Sequence, residues 1–568
     1  MKFYFSFSLL LAAYTALGQS GTVNYPQGYF QNPLDIPITL AGNFGESRPN
    51  HFHTGIDLKT DGKENLKVKA AADGYVSRIS ISHSGYGNAI YITHPNGYTT
   101  LYGHLNDFYP ALQQYVVAQQ YAQESWAVDL KLNPNQFVVT NGQFIAFSGT
   151  TGGSTGPHVH FEIRDSKTLH VLNAALFGLP IKDNMPPVPK SIAIYNSNSI
   201  YQQTPVILPL KKNGNEYTLT TADYKVTSDQ VRIAVRADDF MNGSTNSLGI
   251  YEMKLFLDEK LQASWMLNDI DFDYNRYMNA FADYKLKEEG KGWYQTLFKL
   301  KGNKIANYTF LNNKNGVLDL SDKQAHKVRI EMKDAAGNNA VVNFSLTATG
   351  AAVSAASCNN NWEANTPNEV STANLSFKTN ALALYDDICF QYSEATAPGG
   401  YSKTVQVMDS KIPIQTYSEL GIKVLKLIPF NLRSKLVFIH RIKAASLPGN
   451  NPQDAMAATY DKGMAWASVR TFGSYYVAVD TVPPVIKMLA KGTNLATATK
   501  LQFTVAEKIT SVKKVRAELD GKWLRFVRAG NTYTYTFDER CPKGKHKLMI
   551  TATDENDNEA TTTFNFTR

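Results

Sequence analysis

At 568 residues the chain is too long for a single core, so three to five domains are expected. Its 43 % hydrophobic and 12 % aromatic content excludes a disordered or fibrous polypeptide, and abundant Tyr, Phe, Thr, Asn and Val lean towards β structure. The formal charge of +8 is modest and scattered, suiting plain solubility or an anionic surface such as a cell envelope, and no basic stripe interleaved with aromatics points to nucleic acid.

The chain opens with MKFYFSFSLLLAAYTALG, residues 1–18: one lysine, an apolar run, then small residues. This is the pattern of a secretory signal peptide, which predicts an exported protein. No later segment reaches the roughly 18 apolar residues needed to span a bilayer. In an oxidising compartment Cys358 and Cys389 could pair and leave Cys541 free, but three dispersed cysteines do not fix the pairing and cannot build a cysteine zinc site.

Residues 19–182 read as short β segments between turns, among them LKVKAAADGYVSRISIS, NAIYITHPNGYTTLYGHL and HVHFEIRD, which predicts antiparallel sheets. One stretch breaks the pattern. About 107–131 the chain lacks glycine and is rich in Ala, Gln and Leu, predicting one or two helices inserted between strands. Eight of the eleven histidines fall in this first third, which places chemistry there.

Further on, HKVRIEMKDAAGNNAVVNFSL from His326 matches HKLMITATDENDNEATTTFNF from His546, and DNMPPVPKSIAIYN at Asp183 resembles DTVPPVIKMLAKGT at Asp480. Two Ig-like β-sandwich modules are expected, 183–348 with a large insertion and 480–568. Residues 349–357 read as a linker, and 358–479 as a further β-rich module of no assigned class.

The chemistry concentrates in three separated motifs. In HVHFEI, strand alternation puts His158, His160 and Glu162 on one face and Val159, Phe161 and Ile163 on the other. The preceding GTTGGSTGP lacks the Lys-Ser/Thr ending of a phosphate loop and leads into a strand; its glycines suit a tight turn and close backbone approach to a ligand. In HFHTGID, His53 and Asp57 lie four apart, an even spacing that keeps both on one strand face, with Gly55 offering no obstruction. LYGHL adds His104. Each has an ordinary reading by itself: His53 on the surface, Asp57 forming a turn, His104 half-buried in a core.

In order along the chain, R-x4-H-x-G-x-D, Y-x-HL and G-x-TG-x-STGPH-x-HFE resemble the lysostaphin/LytM-type zinc metallopeptidases, over roughly residues 40–165. The resemblance implies one Zn²⁺ held by His53, Asp57 and His160, with His104 and His158 as the catalytic pair, either of which could be the base. It also implies a peptidoglycan peptide as substrate, and with it a bacterial periplasm or cell envelope as the location, with a non-catalytic scaffold or activator of other wall hydrolases as the alternative. Two neutral imidazoles and one carboxylate leave net positive charge on the ion, as activation of water requires. Arg48, His51 and Asn88 are candidate substrate contacts, and Glu162 a candidate support for a ligand. The helical insertion departs from the family's short connection; it could narrow the cleft or pack away from it. The β modules could bind envelope partners.

Overall fold

The computed structural model describes residues 24–568 apart from 222, 354–356 and 442–452. The expected signal segment, 1–18, lies outside the described residues. The chain is mainly β. No helix among the described residues is long and apolar enough to cross a membrane.

The first domain is built from β1 (Leu40–Gly42), β2 (Ser47–Arg48), β3 (His51–Phe52), β4 (Ile56–Lys59), β5 (Lys67–Lys69), β6 (Gly74–Ile81), β7 (Asn88–Thr93) and β8 (Tyr98–Phe108). After helix α1 (Pro110–Ala122) come β9 (Val128–Lys131), β10 (Val138–Val139), β11 (Phe144–Ser148), β12 (His158–Asp165) and β13 (Val171–Leu172). The main sheet runs β1-β4-β12-β8-β7-β6-β10, with β11 joining β5 and β8. Its order follows from burial: β12 lies between β4 and β8, and Val159, Phe161 and Ile163 are fully buried beneath it. Their alternation frees the opposite face for polar side chains.

The insertion is shorter than the sequence suggested. Asp107 and Phe108 still belong to β8, and 128–131 form β9, which pairs with β6 at the sheet's side instead of continuing the helix. Alternating Val128 and Leu130 bury their side chains, a period-2 pattern that outweighs local composition. α1 opens with Pro110 in its first turn and buries Leu112, Val116 and Gln120.

The outer face of α1 meets the far end of the chain. Tyr121 packs edge-to-face with Trp523 at 5.1 Å, Arg540 lies 4.1 Å over the Tyr121 ring, Arg525 Nε donates to Gln120 Oε1 at 2.6 Å, and Arg516 pairs with Glu124 at 2.7 Å. The insertion therefore carries a docking face for the last module.

The hairpin of β2 and β3 leans on the second domain. Phe52 is fully buried and packs against Phe281 at 5.2 Å, its N–H donates to Asn275 Oδ1 at 2.6 Å, and Asn279 reaches Asn50 at 3.0 Å. Those partners come from the short helices between Phe272 and Glu288.

In residues 188–348, Val206–Asn213 pairs with Val188–Asn196 on one side and Glu216–Leu219 on the other, linking two layers in one ladder. Residues 359–480 carry two five-stranded sheets, and Cys358 is disulfide-bonded to Cys389 while Cys541 is buried and free. The last domain packs two four-stranded sheets around Phe503, Leu548 and Ile550. Its hairpin Lys545–Asp554/Glu559–Thr567 corresponds to Ala325–Lys333/Asn339–Ala348 in the second domain. Even a detail recurs: His326 and Lys327 bind Asp258, as His546 and Lys547 bind Asp520.

Candidate metal centre and active site

His160 pairs in register with Asp57 on β4 and with Gly103 on β8, so the sheet brings the three motifs side by side. His53 arrives differently. It lies in the break between β3 and β4, not on a continuous strand as its spacing to Asp57 suggested. Gly55 in that break is a packing requirement: a Cβ there would stand 2.5 Å from the Phe161 carbonyl and 2.8 Å from the His160 ring.

Three donor atoms converge. His53 Nε2 is 3.0 Å from Asp57 Oδ1 and 3.0 Å from His160 Nδ1, and His160 Nδ1 is 2.9 Å from Asp57 Oδ1. The outer partners fix the tautomers. His53 Nδ1–H donates to the Asn43 carbonyl at 2.8 Å, and His160 Nε2–H donates to Glu162 at 2.9 Å. Each imidazole thus turns a lone pair, with a carboxylate oxygen, toward one point. Such a set fits a cation of borderline softness and is a poor arrangement without one.

Without a cation, a proton does that work. Burial opposes charge on His160, but hydrogen bonds to Asp57 and Glu162 outweigh it and push the imidazole up to about 9. Burial lowers His53 to about 4. Against its own burial, Asp57 is held well below the usual carboxylate range by His53, His158 and His160. Metal uptake would displace the proton.

Glu162 is fully buried and anchors the site from below. Its Oε1 accepts from Thr54 Oγ1 at 2.6 Å and Tyr86 OH at 2.7 Å, and its Oε2 from Arg164 Nε at 2.6 Å. Burial works to raise this carboxyl, yet Arg164, His160 and Thr54 prevail and hold it at about 2. Strand parity from His160 marks Glu162 and Arg164; Thr54 and Tyr86 had no such signal and were not foreseen.

His104 and His158 face each other across the site with ring centroids 4.7 Å apart. Each Nδ1–H donates to a backbone carbonyl at 2.8 Å, Thr151 for His104 and Gly156 for His158, which turns each Nε2 towards the site, that of His158 to 3.4 Å from Asp57 Oδ1. Burial lowers His104 to about 4, assisted by His160 and His158, and so keeps it neutral near pH 7.

His104 reaches this face through a bulge. Tyr102 points into the core against Phe161, and strict alternation would bury His104 beside it. Instead the β7–β8 register shifts between Asn88 and Ile90, and His104 takes φ 60°, so Leu105 enters the core in its place. A non-glycine residue in the left-handed region at a functional site is strain that the fold over-determines.

The substrate candidates separate. Arg48 Nη2 donates to Asp57 Oδ2 at 2.7 Å and also meets Glu46, so its guanidinium orients a candidate ligand. His51 is exposed beside the site hairpin, its ring 2.9 Å from the Pro49 carbonyl. Asn88 spends its amide on the Asn106 carbonyl at 3.0 Å. In GTTGGSTGP, Gly152 packs so closely on Gly87 of the neighbouring loop that a Cβ on either would strike the other loop's backbone. Of the unassigned histidines, His83 stacks on Trp126 at 4.2 Å, His94 is buried against Asp73 and Thr100, and His170 pairs with Asp269 at 2.8 Å.

With this geometry in place, residues 51–124 match the family model described as Peptidase family M23. The first domain carries an M23 peptidase domain. The chain is 38 % identical over 113 residues to the DD-carboxypeptidase/endopeptidase Mpg of Neisseria meningitidis, covering 20 % of each chain. It is 30 % identical over 162 residues to an uncharacterized metalloprotease of Haemophilus influenzae, covering 28 % of each. The match thus spans 20 % and 28 % of these relatives' length. Among solved structures, the catalytic domain of the prophage-encoded M23 protein EnpA from Enterococcus faecalis is 25 % identical, over 24 % of this chain and 88 % of that one, with a TM-score of 0.18. The lysostaphin catalytic domain from Staphylococcus simulans is 24 % identical over 22 % and 80 %, with a TM-score of 0.17. Residues 359–480, the module without an assigned class, match a Zu5-like domain.

Proposed function

We propose that this protein is an exported zinc metalloendopeptidase that hydrolyses peptide bonds of bacterial peptidoglycan, in cross-links or stem peptides. One observation carries the reading: the lone pairs of His53 Nε2 and His160 Nδ1 and an Asp57 oxygen meet at one point, each about 3 Å from the others. The M23 match and the peptidase names of the relatives support it.

The donors fit one Zn²⁺, which when bound would supply Lewis acidity and lower the pKa of water towards neutrality. This chain's own residues do the rest. Glu162 and the Asn43 carbonyl hold the two ligand imidazoles in their tautomers, and Arg48 holds the far oxygen of Asp57. His104 and His158, which face each other beside the donor set, are placed to accept the proton of the attacking water. Once protonated, either can donate to the oxygen developing charge at the peptide carbonyl.

Digestion of purified peptidoglycan, followed by mass spectrometry of the products, tests this. Wild type should release peptide-cleaved fragments, and chelated protein or His160→Ala should release none. Wild type that binds sacculi but releases nothing would favour a non-catalytic scaffold instead.

A further inference from the structure

A second group of ionisable side chains, sharing no residue with the M23 centre, lies at the start of the next domain. Asp183, Asp239 and Asp334 each offer one carboxylate oxygen, and the three oxygens lie within 4.8 Å of one another. Asp239 is 2 % exposed, and its Oδ1 has no hydrogen-bond partner. The charged groups acting on it are Asp334 and Asp183, with no basic side chain among them. A buried carboxylate oxygen without a donor, beside two further carboxylates, is unfavourable unless a cation joins them or a proton is taken up; burial and the neighbouring Asp334 and Asp183 push Asp239 up to about 8, and a cation would displace that proton.

The surrounding chain orients the cluster without saturating it. Asp183 Oδ1 accepts from Met185 N at 3.0 Å, while Asp334 accepts from Asn338 N at 2.8 Å and Asn338 Nδ2 at 2.7 Å. Asn338 Nδ2 also reaches the Asp183 carbonyl at 3.4 Å, tying the two segments together. The last domain repeats the device. Asp480, Glu507 and Asp554 form the same kind of group, and Glu507 Oε2 is likewise buried and unpartnered. Asp480 Oδ1 accepts from Val482 N, and Asn558 binds both Asp554 and the Asp480 carbonyl as Asn338 binds its counterparts.

We propose that Asp183, Asp239 and Asp334 bind a hard divalent cation, calcium. All the donors are oxygen, and separations up to 4.8 Å suit two ligands on opposite sides of an ion with bonds of about 2.3–2.6 Å. Asp183 sits on the segment leaving the M23 domain and Asp334 in the hairpin turn of the next domain, so the ion would fasten that exit strand to the sandwich. Calcium would then set how firmly the M23 domain is held on its support, without entering the peptidase chemistry.

The test uses full-length protein stripped of metal and reloaded with one equivalent of zinc. Calcium binding is followed by isothermal titration and equilibrium dialysis, and stability by thermal melting. Wild type should bind at least one calcium, with a Kd on the order of 10⁻⁴–10⁻³ M or tighter, and melt higher with calcium present. Asp239→Asn, which keeps the side-chain volume, should bind one calcium fewer, with zinc content unchanged. Asp183→Asn, at the more exposed edge of the cluster, should show the same loss and covers the case in which the Asp239 variant fails to fold. Wild type indifferent to millimolar calcium, or folded variants that bind as much as wild type, would overturn the proposal. So would an equal response to magnesium at the same concentration.

Discussion

Two buried clusters in this chain solve the problem of converging charge in different ways. In the M23 domain, two imidazoles and Asp57 meet, and every outward-facing atom is committed: Asn43 and Glu162 take the imidazole N–H groups and Arg48 takes the second Asp57 oxygen. In the second domain three carboxylates meet, oriented mainly by backbone N–H groups and an asparagine, and one oxygen of Asp239 is left without a donor. The difference lies in donor chemistry. Nitrogen ligands with fixed tautomers suit zinc and chemistry at an open position, whereas an all-oxygen set suits a structural hard cation.

The largest effects should come from the first cluster. His160→Ala or chelation should abolish peptide release, while Asp239→Asn should leave turnover of zinc-loaded protein intact, measured on the same peptidoglycan. Loss of turnover in Asp239→Asn with zinc retained would erase the distinction between the clusters. His104→Ala should lower kcat roughly 10²–10⁴-fold with metal content unchanged, as expected of a proton-transfer group. A parallel loss of zinc in that variant would instead make His104 part of the metal set.

Glu162→Gln probes the support beneath the metal. It keeps an acceptor for His160 but removes the charge, and zinc affinity should fall about 10–100-fold in a competition titration. Tyr121→Ala tests the docking of α1 against the last domain. The lost aromatic contact should cost about 0.5–1.5 kcal/mol in chemical denaturation, and peptide release should not change. A changed substrate range would show that the docked helix shapes the cleft after all.

The smallest effect concerns histidine–aspartate pairing without a third ligand, as in His546 with Asp520. Burial opposes charge on His546, but Asp520 and the Pro542 carbonyl raise its pKa above the ordinary value. Its contribution to stability is therefore complete below the unfolded pKa and is lost as pH rises through the folded value. With Asp520 largely in solvent, under about 1 kcal/mol should separate wild type from Asp520→Asn at low pH, and less at high pH, by urea denaturation. A reversed pH trend would break the assignment.

Much of the centre was legible because strand periodicity is a local rule. HVHFEI alone puts His160 and Glu162 on one face above a buried Val159, Phe161 and Ile163. The DNMPP and DTVPP entries and the two hairpin turns likewise announced a repeated module before any contact was known. What stayed hidden depended on distance in sequence. The hold of Arg48 on Asp57 was one such feature, for Asp57 becomes its neighbour only when β2 folds back over β4. α1 looked like a lid or an ornament because its partner Trp523 lies four hundred residues away.

By itself, the sequence determined which residues could carry charge, lone pairs and apolar bulk, and which of them share a strand face. Alternation and turn chemistry act over a few residues, and no tertiary contact is needed to state them. Only the tertiary structure decided that His104 leaves the core through a bulge, that Glu162 sits under His160 in a web of Thr54, Tyr86 and Arg164, and that Asp183, Asp239 and Asp334 meet. Those outcomes depend on register between distant strands, and a shift of one residue would send each side chain to the opposite face.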